Sequence, residues 1–254
     1  MKAILAIGEL TRFFGGLAAV RDLSFEVKEG EILSLIGPNG AGKTTVFNLI
    51  TGALLATRGT VAFRDREITG LRPHETAPLG LARTFQTTSL FGEETVLDNL
   101  IVAYRCRTRM GFWDALLRTG RSRRDEGRSR EKAEEVIEFI GLAGLARLPA
   151  HGIPQESQKR LAIGLALATE PKLLLLDEPM GGLTEEENVT MMDLIRRVRG
   201  RGVTILLIEH KMKIVMNLSD RIVVLNYGQK IAEGAPAEVG RNQAVIDAYL
   251  GTEK

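Results

Sequence analysis

The chain has 254 residues, 44% hydrophobic and 26% charged, enough to bury one large core or a core with a smaller lobe. Its 34 Lys and Arg against 32 Asp and Glu leave a net charge of +2, which argues neither for nor against nucleic acid. The single cysteine, Cys106, excludes an internal disulfide framework and a Cys-rich zinc site, and the longest apolar runs, near 173–176 and 203–208, are strand-sized rather than membrane-spanning.

In chain order, "MKAILAIGEL" is too short and too soon interrupted by Glu9 for a signal peptide, so a cytosolic setting is the default expectation. "LSFEV" (23–27) and "EILSLIG" (31–37) read as strands, with "KEGE" between them as a hairpin-type turn around Gly30. A glycine-rich loop follows, then "KTTVFNLITGAL" with helical apolar spacing, then "TVAFRDREI" as a small antiparallel element. From about 98 to 146 the pattern is helical, clearest in "REKAEEVIEFIGLAG". Strand–helix alternation returns with "KLLLLDEP" (172–179), a helix near 185–199, "VTILLIEH" (203–210), a helix near 211–217 and "RIVVLNYGQKIAEG" (221–234). Buried strands alternating with helices predict a parallel α/β sheet, with the helical middle inserted between its two halves.

One stretch is locally basic: nine arginines lie between Arg105 and Arg130 against Asp114, Asp125 and Glu126. It reads as a solvated face or loop, or as a contact for lipid headgroups or an acidic partner. With few aromatics interleaved, no nucleic-acid partner is expected.

"GPNGAGKT" (37–44) matches the full phosphate-loop pattern after a strand and before a helix. Gly37, Gly40 and Gly42 let successive N–H groups point at phosphate oxygens, and the helix dipole adds to the attraction. Lys43 places a cation on the β- and γ-phosphates, Thr44 supplies a hydroxyl to magnesium and Thr45 donates to the α-phosphate. The cofactors expected are therefore a nucleotide with β- and γ-phosphates and Mg2+; the resemblance given below implies that the nucleotide is ATP. "LLLLDEP" ends a buried parallel strand in two carboxylates at the sheet edge beside that loop. Asp177 is the candidate to hold magnesium through its water shell, and Glu178 to polarise the attacking water as general base. His210 ends another apolar strand at the same edge, where an imidazole can bond the γ-phosphate and orient water. Gln86, in "RTFQ", is a neutral amide whose chemistry alone identifies nothing.

The ordered set of phosphate loop, "RTFQ", helical segment, "LLLLDEP" and "TILLIEH" resembles the ATP-binding subunits of ABC transporters over about Leu10 to Gly251. The resemblance implies one ABC ATPase domain of the α/β P-loop NTPase class. It would have a RecA-like core with an antiparallel β subdomain (about 1–85 and 172–254) and an inserted α-helical subdomain (about 86–171). It implies that Gly37, Pro38, Asn39, Gly40, Ala41, Gly42, Lys43, Thr44 and Thr45 bind ATP, and that Gln86 is a magnesium or water ligand. It also implies that Phe14 stacks on adenine, with Phe13 in the core and Val20 beneath the base. "ARTFQTTSLFGEETVLDNLIVA" and the tail "GQKIAEGAPAEVGRNQAVIDAYLG" look like the branched-chain amino-acid importer class, which importers of urea or amides partly share. That likeness implies an ATP-hydrolysing subunit, peripheral on the cytoplasmic face of the membrane. It would work with a second ABC ATPase, two permease subunits and an extracytoplasmic binding protein. A heterodimer is favoured over a homodimer. An exporter subunit, a soluble ABC ATPase and a regulatory nucleotide-binding module are the alternatives.

ABC ATPases present a signature, usually L-S-G-G-Q, to the ATP held by a partner subunit. Counted back from Asp177, that register falls on Ile153, Pro154, Gln155, Glu156 and Ser157. Pro154 suits both the class and the first turn of a helix. Glu156 replaces a glycine, and the expectation is a negative charge facing an anionic ligand. Either the variant is tolerated, or this half-site hydrolyses poorly. Gly164-Leu165 stands where Ala-Arg is common, and Thr184 in "MGGLTEE" stands where many relatives have Asp.

Overall fold

The computed structural model describes residues 2–84, 90–107 and 120–250. It divides into two compact units, Met1–Arg83 with Lys172–Lys254, and Thr84–Pro171.

The first unit carries two sheets. Strands β1 (Ala3–Phe14) and β2 (Leu17–Lys28) form an antiparallel hairpin through Gly15, and β4 (Arg58–Phe63) and β5 (Arg66–Glu67) complete a four-stranded sheet of order β2-β1-β4-β5. Leu23, Phe25 and Val27 are buried at alternate positions of β2, as a sheet with one covered face requires. The second sheet has the order β10-β9-β3-β8-β7-β6, formed by β3 (Ile32–Ile36), β6 (Leu81–Arg83), β7 (Leu173–Asp177), β8 (Thr204–Ile208), β9 (Arg221–Asn226) and β10 (Gln229–Gly234). Its strands run parallel except β10, which returns antiparallel to β9. Every residue of β3 and β8 is buried, so their unbroken apolar runs follow from cover on both faces.

The "KEGE" turn does not join a hairpin. It carries the chain from β2 in one sheet to β3 in the other. Glu31 is buried there, accepts the Lys28 amide at 2.6 Å and pairs with Arg221 at 2.8 Å. The turn is thus pinned by charge inside the unit, while its two strands have incompatible burial patterns, one face for β2 and both for β3.

Helix α1 (Lys43–Thr51) follows β3, and the short α2 (Pro73–Thr76) precedes β6. Helix α6 (Glu185–Gly200) follows β7, α7 (Met212–Leu218) follows β8, and α8 (Pro236–Val239) and α9 (Gln243–Leu250) close the chain. Thr184 caps α6 reciprocally: its hydroxyl accepts the Glu187 amide at 3.3 Å, and the Glu187 carboxylate accepts the Thr184 amide at 2.8 Å.

The second unit is helical, with α3 (Val96–Arg107), α4 (Gly120–Phe139) and α5 (Gln155–Leu167). Gly164 explains its own departure from the more usual alanine. A Cβ there would lie 2.8 Å from Ile140 Cδ1, 3.2 Å from Leu100 Cδ2 and 3.3 Å from Val136 Cγ1, so the glycine lets the three helices approach. Of the basic stretch, residues 120–130 form the first half of α4, and 108–119 lie outside the described residues.

Candidate functional site

The phosphate loop is a backbone construction. Gly37, Gly40 and Gly42 have φ of 152°, 78° and 100°, in the left-handed half of conformational space. A Cβ on Gly37 would stand 2.1 Å from the Leu225 carbonyl oxygen, and one on Gly42 would stand 2.4 Å from that of Ala19. These two glycines therefore let the loop lie against its own protein. Gly40 has open space and is needed for its dihedral alone. Pro38 and Ala41 are buried and Asn39 is exposed, with the Ala41 amide donating to Pro38 O at 3.1 Å.

Helix α1 begins at Lys43 with Gly42 as its N-cap and no side chain closing its first turn, which leaves amides and dipole for an anion. Lys43 is buried and folds back on the loop, donating to Gly37 O at 2.7 Å and Pro38 O at 2.9 Å. Burial pulls its pKa below the ordinary lysine value, and Glu178 and Asp177 oppose that shift. Phosphate oxygens would replace two neutral carbonyls with stronger, charged acceptors. Thr44 is exposed and Thr45 half-buried on the first turn. From the far side, Tyr249 of α9 comes up to the Gly37 backbone; burial raises the pKa of its phenol, and the Gly37 backbone partly offsets that.

Three strand ends meet the loop. Asp177 closes β7 and Glu178 follows it with φ 49°, a conformation L-residues seldom adopt. The Glu178 amide donates to Ile208 O of β8 at 3.0 Å, which ties the two strand ends together. His210 Nε2 lies 2.5 Å from Glu178 Oε1, so the carboxylate and imidazole named from the sequence form a bonded pair. Asp177 is only 7% exposed and takes a partner that residue order did not reveal. Arg83, at the end of β6, donates to Asp177 Oδ2 at 2.7 Å and to Asn48 Oδ1 of α1 at 2.6 Å, its guanidinium 5.5 Å from the Phe47 ring centre.

Among the described residues, no group of three or more His, Cys, Asp or Glu side chains could cage a metal. Thr44 and Asp177 are nevertheless oxygen donors of the kind Mg2+ takes, and a set this sparse suits an ion that keeps waters and arrives with phosphates. They fit it.

On the β1–β2 hairpin, Phe14 is 47% exposed, with the Arg12 guanidinium 4.8 Å from its ring centre, an exposed aromatic beside a cation. Phe13 is not core: it is 40% exposed, on the last turn-proximal residues of β1 where the sheet's cover ends. Val20 is fully buried, with Cγ2 3.5 Å from where a Gly42 Cβ would be. It supports the loop from below and presents no surface to a base. Gln86 lies outside the described residues.

In the helical unit, Ile153 is buried and extended, Pro154 is the N-cap of α5 rather than its first helical residue, and Gln155 starts the helix. Glu156 does not present a bare charge. Its carboxylate turns inward onto Arg160, with Nε 2.7 Å from Oε1 and an Nη 2.9 Å from Oε2. The Ser157 hydroxyl donates to Glu156 Oε2 at 3.3 Å and is buried with it. An acid in a helix's first turn is also favoured by the dipole. Arg160 stands at i+4 on the same helical face, and that spacing is the signal in the sequence that points to the pair.

Residues 20–181 match the family model described as ABC transporter, and residues 229–254 match one described as branched-chain amino acid ATP-binding cassette transporter. The chain is 45% identical over 251 residues to the high-affinity branched-chain amino acid transport ATP-binding protein LivG of Salmonella typhimurium, covering 98% of both chains. It is 42% identical over 251 residues to BraF of Pseudomonas aeruginosa, with the same coverage. A nucleotide-free ATP-binding cassette from an ABC transporter superposes with a TM-score of 0.86 at 32% identity, over 98% of this chain and 99% of that one. A cassette of an ABC transporter in its ADP conformation also gives 0.86 at 32% identity, over 99% and 100%. The phosphate loop, the paired strand ends and these likenesses converge on one conclusion: the chain belongs to the ABC transporter family, as an ATP-binding cassette with the ABC ATPase fold.

Proposed function

We propose that this chain binds Mg-ATP and hydrolyses it to power an importer of branched-chain amino acids. The observation that carries the hydrolytic reading is the Glu178–His210 pair at 2.5 Å, on the sheet edge that also holds Asp177 and the phosphate loop. The substrate class rests on what LivG and BraF are named for and on the match of the tail.

In this reading the amides of residues 37–45 and the Lys43 ammonium hold the phosphates, and Phe14 offers its face to adenine. Thr44 and Asp177 would hold Mg2+, with Gln86 as a further ligand to it or to water. When bound, that ion would neutralise charge on the phosphates. Glu178 accepts a proton from water as it attacks phosphorus, and His210 keeps the carboxylate oriented and reaches the γ-phosphate. ATP and water thereby give ADP and inorganic phosphate. The chain sits on the cytoplasmic face of the membrane against two permease subunits, with a second ABC ATPase closing the dimer and an extracytoplasmic binding protein delivering the amino acid. A heterodimer is preferred to a homodimer.

Segment 153–157 is the half-site offered to the partner's ATP. The Glu156–Arg160 pair leaves no net charge at that helix start, which favours a half-site that closes over ATP rather than a degenerate, regulatory one. The test is ATP turnover and labelled-leucine uptake in membranes carrying the assembled complex. Lys43→Ala and Glu178→Gln should each abolish most of both. Turnover without leucine uptake, but with uptake of urea or amides, would keep the ATPase and overturn the substrate.

A further inference from the structure

Glu178 sits at φ 49°, a left-handed conformation that is strained for a non-glycine residue. A reacting carboxylate on such a backbone keeps its aim only if the surrounding structure holds it there. The segment after it turns at once, with the Gly181 amide donating to Glu178 O at 3.1 Å.

What grips this turn is the strand end that carries His210. Glu209 is 2% exposed, and its carboxylate bridges two backbones: Oε1 accepts the Met180 amide at 2.8 Å and Oε2 accepts the His210 amide at 3.2 Å. On the other side of His210, the Lys211 ammonium donates to Met180 O at 3.2 Å and Leu183 O at 3.1 Å. Met180, itself fully buried, is therefore held at both its N–H and its C=O by the two neighbours of the histidine. Both N–H groups point at one side chain, and a carboxylate can accept both, whereas an amide has only one oxygen to offer.

Building on the reading of Glu178 as general base, we propose that Glu209 is a positioning residue for hydrolysis. By bonding the Met180 and His210 amides with one carboxylate, it fixes the backbones that set the Glu178–His210 separation, and Lys211 completes the clamp. Glu209 is buried away from solvent. It acts through the aim of its two neighbours.

The test uses the assembled transporter, with Glu209→Ala, the isosteric Glu209→Gln, Glu178→Gln and the Glu178→Gln/Glu209→Ala double variant, reading kcat and KM for ATP separately. Glu209→Ala should lower kcat by about 10- to 100-fold, the scale for a misplacement of a reacting group, with KM for ATP within about twofold. Glu209→Gln, which keeps one acceptor and the shape, should recover part of that loss even if the alanine variant folds poorly. The double variant should be no slower than Glu178→Gln alone, because the clamp then has nothing left to aim. Unchanged kcat in both Glu209 variants, additive losses in the double variant, or a rise in KM matching the fall in kcat would each overturn the proposal. Full turnover in Glu178→Gln would instead show that the base is misassigned, and the positioning role would fall with it.

Discussion

Glu156 and Arg160 face each other across one turn of α5 in a two-point ion pair, 2.7 Å and 2.9 Å at its contacts. The arginine also donates to Ile140 O at 3.1 Å and Gly141 O at 3.3 Å, and Gly141 leaves room for it: a Cβ there would sit 2.8 Å from the guanidinium. The pair is largely buried, so removing one member costs more than the pair itself contributes. Arg160→Met strands the carboxylate and should destabilise the protein by about 3 kcal/mol, seen as a lower midpoint in urea unfolding. Glu156→Gly leaves the arginine its two carbonyls, so a smaller loss is expected, with no gain in ATPase rate of the complex. A large gain would mean the charge does reach the partner's phosphates.

Arg83 plays the same role on a more critical carboxylate. It is 10% exposed and joins Asp177 to Asn48, linking β6, β7 and the phosphate-loop helix through one guanidinium. Arg83→Met leaves Asp177 buried beside no such cation. The expected result is a loss of about 3 kcal/mol in stability and a shifted Mg2+ requirement for nucleotide binding, measured by titrating Mg2+ against a fluorescent ATP analogue. Arg83→Lys should recover little, because an ammonium cannot offer the fork that reaches both partners.

The parts of this protein that were legible in the sequence are those whose local pattern and final environment coincide. "EILSLIG", "LLLLD" and "TILLI" are apolar because they are covered on both sides, and the glycines of the phosphate loop are spaced by a backbone path that admits few others. "KEGE" misled because turn chemistry is local, whereas sheet membership depends on which faces of the flanking strands are buried. Glu156 misled for a different reason: residue order shows a charge but not its rotamer. Arg83 and Glu209 were missed because a buried acid or base at a strand end looks like a solvated one until its partners are known.

The tail that marks the branched-chain class ends on the phosphate loop. Ile36, Val239 and Val245 share a buried cluster, with Tyr249 packed against it and its phenol beside the Gly37 backbone. Tyr249→Phe removes the phenol's polar contact with that backbone and keeps the packing. Such a contact is worth about 1 kcal/mol at most, so ATP affinity should fall by up to about fivefold, by isothermal titration. A fall in stability with unchanged affinity would mark the tyrosine as packing only.

Glu209 should leave a signature in stability against pH. Burial raises its pKa above the ordinary carboxyl value of 4.5, and the Met180 and His210 amide bonds only partly offset this. Between 4.5 and the raised value the folded protein binds more protons than the unfolded chain, so this group's contribution is full below 4.5 and is lost as pH rises through the folded pKa. Glu209→Gln cannot titrate and keeps the shape. The difference in Tm between wild type and variant should therefore move steadily in the variant's favour from about pH 4.5 upward, then level off. Parallel Tm curves over that range would mean the carboxylate is solvated enough to ionise freely. Its hold on Met180 and His210 would then be looser than the 2.8 Å and 3.2 Å bonds imply.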